Sequence, residues 1–103
     1  LTRDILPHRR HAETFSFHFR DLKYTATIGA YANGQIGEIF LNCTKQSTDS
    51  DFAARDAAIL ISFALQSGAN LGSLAKAMTR DADGRPQGLA GACLDAVIAE
   101  LME

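Results

Sequence analysis

The hydrophobic pattern changes period once, near residue 46, and that switch constrains the fold more than any other feature of the chain. Before it the pattern alternates. Phe15, Phe17 and Phe19 interleave with Ser16, His18 and Arg20, the signature of a half-buried strand. A turn expected at Asp21-Leu22 leads into a second run, where Tyr24, Ala26, Ile28 and Ala30 oppose Lys23, Thr25 and Thr27. The pair Asn33-Gly34 is predicted to supply the two positive-φ residues of a tight hairpin. The third run, Gln35 to Cys43, places Ile39, Leu41 and Cys43 on one face. Ile36 and Phe40 fall on the other face beside Glu38, so both faces of this strand are expected to be covered.

After the switch, Gln46-Ser47-Thr48-Asp49-Ser50-Asp51 reads as a polar hinge and a helix start, because Ser and Asp side chains accept bonds from orphan N–H groups. The first helix is expected over about 51–67. It is apolar nearly all round, with only Arg55, Asp56, Ser62 and Gln66 as polar points, and such a helix is expected to be buried on most sides. Gly68 ends it. Asn70 caps a short second helix bearing Leu71, Leu74, Ala75 and Met78. The stretch Asp81 to Pro86 reads as a loop. The last helix, about 88–102, aligns Leu89, Cys93, Leu94, Val97, Ile98 and Leu101 on one stripe. Strands first and helices afterwards mean an α+β fold: a three-stranded antiparallel meander followed by three helices, in two layers.

A chain of 103 residues is one domain in length. Residues 1–12, with Arg3, Arg9, Arg10, His8 and His11 around Pro7, are expected to form an extended basic arm, because Pro7 breaks a helix there. Residues 13–103 form the domain. With 47% hydrophobic and 21% charged residues the chain is too apolar to be disordered, and a net charge of −2 gives no global pull toward nucleic acid or acidic lipid. Cys43 and Cys93 stand in apolar settings without metal-ligand spacing. A reduced, cytoplasmic domain without metal or cofactor is therefore expected. No apolar run long enough for a signal peptide or a membrane span appears.

Leu6-Pro7 with Arg9 and Ala12, then Phe17, Tyr24-Thr25, Thr27-Ile28-Gly29, Tyr31 and Gly34 stand ahead of the run GEIF at 37–40. Lys45, Ser47, ISFALQSG at 61–68, Leu71 and Leu74 follow. In that order and spacing these residues resemble the TSCPD domain, found near the C-terminus of cobalamin-dependent (class II) ribonucleotide reductases and as free-standing small proteins. The resemblance spans residues 6–75, and more weakly Gly84-Arg85, Gly88, Gly91 and the final helix. It implies kinship with a reductase accessory domain. It does not imply reductase activity, because the radical cysteine, the redox pair and the cobalamin site belong to a large barrel domain. The Thr-Ser-Cys-Pro-Asp motif that names the family is not reproduced here.

Few side chains invite chemistry. His8, His11 and His18 read as solvated residues rather than ligands, since Pro7 argues against the helix that would align the first two. Asp81-x-Asp83-Gly84 reads as a polar turn, because the later ligands of a calcium loop are missing. Glu38 lies in an apolar strand and needs a partner: Arg20, Lys23 or Arg55, or else a ligand. Lys45, Ser47, Thr48 and Ser50 at the helix start either cap the helix or hold an anion such as phosphate, with Asp49 and Asp51 opposing an anion. The chain is therefore expected to be a non-catalytic binding domain. The apolar residues left over, Ile36, Phe40 and Phe63 among them, point to a homodimer. The alternative is a small nucleotide or nucleic-acid binding module using the basic arm and the helix start.

Overall fold

A computed structural model describes residues 2–103; the first residue of the arm lies outside them. Strands β1 (Ala12–Phe19), β2 (Leu22–Ala30) and β3 (Ile36–Cys43) form one antiparallel sheet in the order β1-β2-β3. Helices α1 (Asp49–Gln66), α2 (Leu71–Ala77) and α3 (Leu89–Leu101) follow. The α+β meander with three trailing helices is the architecture expected.

The register explains which residues meet. Phe15 pairs with Ala26 and Phe17 with Tyr24, and Tyr24, Ala26 and Ile28 pair with Cys43, Leu41 and Ile39. All share the face that packs against the helices. Tyr24, Ala26, Ile28, Ile39, Leu41 and Cys43 are buried there, with Phe15, Phe17 and Phe19 half-buried at the β1 side. From α3, Cys93, Leu94 and Val97 are fully buried in the same core. α3 lies over β1 and β2, while α1 runs along the free edge of β3.

Both hairpins differ from expectation. The first turn is Arg20-Asp21, at φ 49° and 65°, and Leu22 already belongs to β2. Two positive-φ residues match the twist of the flanking strands. Arg20 tolerates the position while its guanidinium lies over the Phe19 ring and donates to the Gln87 carbonyl. In the second turn Gly34 alone is left-handed, at φ 87°. Gly34 N–H donates to Tyr31 C=O and Tyr31 N–H to Gln35 C=O, which closes a longer loop than an Asn-Gly pair alone would.

A further departure follows from a bulge. Gly29 pairs with Glu38, but Ala30 pairs with Ile36, so Gly37 is an extra residue on β3. An extra residue flips every side chain beyond it. Ile36 therefore joins the core side with Ala30, half-buried against the core, and does not share the outer face of Phe40.

α1 begins two residues before the expected start, capped by the Thr48 hydroxyl, which accepts from Asp51 N–H. Gly68, at φ 99°, follows its last turn. Asn70 caps α2 by accepting from Ser73 N–H. Arg80 ties the helical layer together. It makes two bonds of 2.8 Å to the Asp95 carboxylate on α3 and also reaches the carbonyls of Ala75 and Gly84.

Candidate binding groove between α1 and the edge of β3

An edge strand leaves half of its backbone groups unpaired. On β3 the even-numbered residues bond inward: Asn42, Phe40 and Glu38 face Thr25, Thr27 and Gly29, and Thr44 N–H reaches Lys23 C=O. The odd-numbered residues point outward, toward α1. Polar side chains of the helix meet them one by one. Asp51 accepts from Cys43 N–H at 3.0 Å. Ser62 accepts from Ile39 N–H at 2.9 Å and donates to Ile39 C=O at 3.0 Å. Gln66 donates to Gly37 C=O at 2.9 Å. Ser62 and Gln66 stand out in the sequence only as polar points on an apolar helix; their spacing of four puts them on one face, but nothing in it names the strand edge opposite.

Asp51 has no solvent access. Burial pushes its carboxyl up, but the N–H bonds from Ser47 and Cys43 and the Arg55 guanidinium 3.2 Å away outweigh it and hold it below the ordinary carboxylate range. The helix start is thus occupied from within the chain. Thr48 caps it and donates to Lys45 C=O, Ser47 N–H binds Asp51, and Phe52 N–H binds Thr48 C=O. Lys45 is exposed and Ser50 half-buried beside this cap.

Glu38 takes a partner that none of the expected ones supplies. Arg10 of the arm forms the ion pair, while Arg55 is engaged by Asp51 and Arg20 by Gln87. Arg10 lies far from Glu38 in sequence, and nothing local in the strand points to it. Gly29 sits beneath the pair, since a Cβ there would meet Glu38 Cγ at 2.8 Å. The arm continues across this outer face. Tyr31 OH donates to Asp4 C=O, Asp4 N–H to Gln66 C=O, and Arg3 lies 4.0 Å over the Phe63 ring.

Between helix and strand edge runs a groove of about 450 Å³, lined by Arg3, Phe40, Leu41, Arg55, Ile59 and Phe63 among others. Beside it α1 carries an exposed apolar stripe. Phe52, Ile59, Leu60 and Phe63 are 51–71% exposed, and Phe40 across the groove is 53% exposed. One side of α1 is therefore open, where burial on most sides is the expectation. Of the three residues expected at an interface, Phe40 and Phe63 meet at this groove; Ile36 lies away from it.

Cys43 and Cys93 are free and buried, and burial pushes the Cys93 thiol up to about 12. Among the described residues, no three His, Cys, Asp or Glu side chains gather as a metal site would require, and no helix is long and apolar enough to cross a membrane. The chain matches no family model, no curated protein and no solved structure.

Proposed function

We propose that this chain is a non-catalytic binding domain, akin to the TSCPD accessory domain of class II ribonucleotide reductases, that self-associates through the outer stripe of α1 and Phe40. The observation that carries the reading is that stripe. Phe52, Ile59, Leu60 and Phe63 fall within one helical face, interrupted only by Asp56, and Phe40 extends it across the groove. Half-exposed aromatic and larger aliphatic side chains contribute about 100 Å² each, which gives a patch on the order of 500 Å². That approaches the roughly 800 Å² per partner of a standard interface. A second copy presents the same apolar face and carries only a small net charge of the same sign.

Kinship with the TSCPD domain rests on the sequence resemblance alone, and in the fold its two most specific segments lie side by side. Gly37 and Ile39 of GEIF are bonded to Gln66 and Ser62 of ISFALQSG. The nucleic-acid reading loses force because the arm and helix start are engaged internally. Arg10 binds Glu38, Arg3 covers Phe63, and Thr48 with Asp51 closes the helix start.

The test is sedimentation of the wild type over a wide concentration range, beside Leu60→Asp and Phe63→Asp. A mass rising from one chain to two, and folded single chains for the variants, is expected. One chain at every concentration overturns the proposal.

A further inference from the structure

The two edges of the sheet are finished differently. The β3 edge is closed by α1, whose Asp51, Ser62 and Gln66 side chains bond its outward backbone groups. β1 is the other edge, and it pairs with β2 alone. His11 C=O accepts from Ala30 N–H, and bonded pairs recur at every second residue of an antiparallel ladder. The odd-numbered residues of β1 therefore bond inward, and the N–H and C=O groups of Thr14, Ser16 and His18 point outward. All three residues are exposed. α3 packs against β1 from the core face, and the arm turns away at Arg10 toward Glu38 and Gln66.

Proteins ordinarily blunt such an edge with Pro, Lys, a bulge or a very short strand. β1 has none of these. It runs over eight residues in unbroken register, AETFSFHF, and the bulge of the sheet lies on β3 instead. Phe15, Phe17 and Phe19 form a half-buried row on its core face. A strand laid along β1 would find an aromatic neighbour there for every second side chain. The outer face ends in basic side chains, since His18 pairs with Lys23 and Arg20 follows in the turn. Among the described residues none of these three has an acidic partner; Arg20 donates to the Gln87 carbonyl. A second copy does not match this end. Paired antiparallel with itself, β1 could set only Ala12, Thr14, Ser16 or another His18 opposite His18, and none carries a carboxylate.

We propose that β1 accepts an extended, acidic segment of a partner protein as a fourth, antiparallel strand. The segment carries apolar residues beside Phe15, Phe17 and Phe19, hydroxyl residues beside Thr14 and Ser16, and an Asp or Glu beside His18. This goes beyond self-association and does not depend on it, because the α1 stripe lies at the opposite edge of the sheet.

The test titrates a capped peptide, Val-Asp-Val-Thr-Val-Thr-Val, into the isotope-labelled chain and follows the amides of Thr14, Ser16 and His18. Saturating shifts and slower hydrogen exchange at these three are expected, with an unchanged dependence of mass on chain concentration. A peptide N-methylated at its Asp and Thr residues should not bind, and one with Lys in place of Asp should bind several-fold more weakly. His18→Glu should reverse the preference between the Asp and Lys peptides. Ser16→Pro removes only an outward N–H and should abolish binding in a folded chain; the N-methylated peptide makes the same point should that variant not fold. The proposal is overturned by unmoved amides at millimolar peptide, or by equal shifts with the N-methylated peptide. Slow exchange at Thr14, Ser16 and His18 that appears without peptide as the Leu60→Asp chain is concentrated also overturns it, since a second copy then holds the edge.

Discussion

The Ser62 hydroxyl does for Ile39 what a fourth strand would do, accepting its N–H at 2.9 Å and donating to its C=O at 3.0 Å. Ile39 is 1% exposed, so removing the hydroxyl strands both backbone groups. Ser62→Ala is expected to destabilise the fold by about 1–3 kcal/mol, read as a lower urea midpoint. Ser62→Thr, which keeps the hydroxyl, should lose less. Equal midpoints for wild type and Ser62→Ala would mean that packing alone holds α1 against the edge.

Glycines on the outer face of the sheet rank differently from the turn glycine. A Cβ at Gly29 runs into Glu38, and one at Gly37 runs into the Tyr31 ring. Gly34 has open space but sits at φ 87°. Gly29→Val is expected to cost about 2–3 kcal/mol through overpacking and disruption of the Arg10–Glu38 pair. Gly34→Val should cost about 1 kcal/mol through backbone strain alone. Thermal melts of the two variants check the order, and a milder effect at Gly29 would contradict the packing of Glu38.

The strands, the helices and most of their order were legible because each rests on local pattern. Alternation in Phe15–Phe19 and Tyr24–Ala30 fixed the core face, and the capping residues Thr48 and Asn70 stand where helix starts need them. The bulge at Gly37 was not legible, since a single glycine does not say which neighbour it skips. Ile36 was misplaced for that reason. The Arg20-Asp21 turn was displaced by one residue because an arginine gives no sign of taking a left-handed conformation. The Arg10–Glu38 pair and the Arg80–Asp95 pair join distant segments, and no periodicity carries that information. The groove was half legible: Phe40 and Phe63 stand out in the sequence as surplus apolar residues, while their meeting at one groove depends on the relative register of α1 and β3.

The two thiols should be silent in the folded protein. Cys43 and Cys93 are 1% and 0% exposed, and burial pushes the Cys93 thiol up to about 12. Since the thiolate is the reactive form, burial slows attack on both cysteines, and the missing charge slows it further at Cys93. Labelling with a thiol reagent at pH 8 is expected to proceed only as fast as the chain unfolds, and denaturant should release two equivalents together. Rapid labelling of one cysteine in the absence of denaturant would show that its segment opens on its own.

Acid should unfold the protein through two carboxylates. Burial pushes the Asp51 carboxyl up, but its bonds from Ser47 and Cys43 and the nearby Arg55 more than compensate. Asp95 is lowered chiefly by its hydrogen bonds to Arg80, against a smaller effect of burial. Both therefore titrate lower in the folded chain than in the unfolded one. The folded state then binds fewer protons in the acid range, so stability rises with pH there. Their contribution is complete above the ordinary carboxylate value of roughly pH 4 and disappears as the pH falls through their folded values. Urea midpoints measured from pH 7 to pH 2.5 should stay level to about pH 5 as far as these two groups are concerned, then fall. Asp95→Asn is expected to start lower at neutral pH, having lost the ion pair with Arg80, and to fall less steeply in acid. Asp51→Asn is likewise expected to flatten the acid limb, because it removes a carboxylate that its bonds from Ser47 and Cys43 and the nearby Arg55 hold low. An acid limb as steep in both variants as in the wild type would assign acid unfolding to other carboxylates.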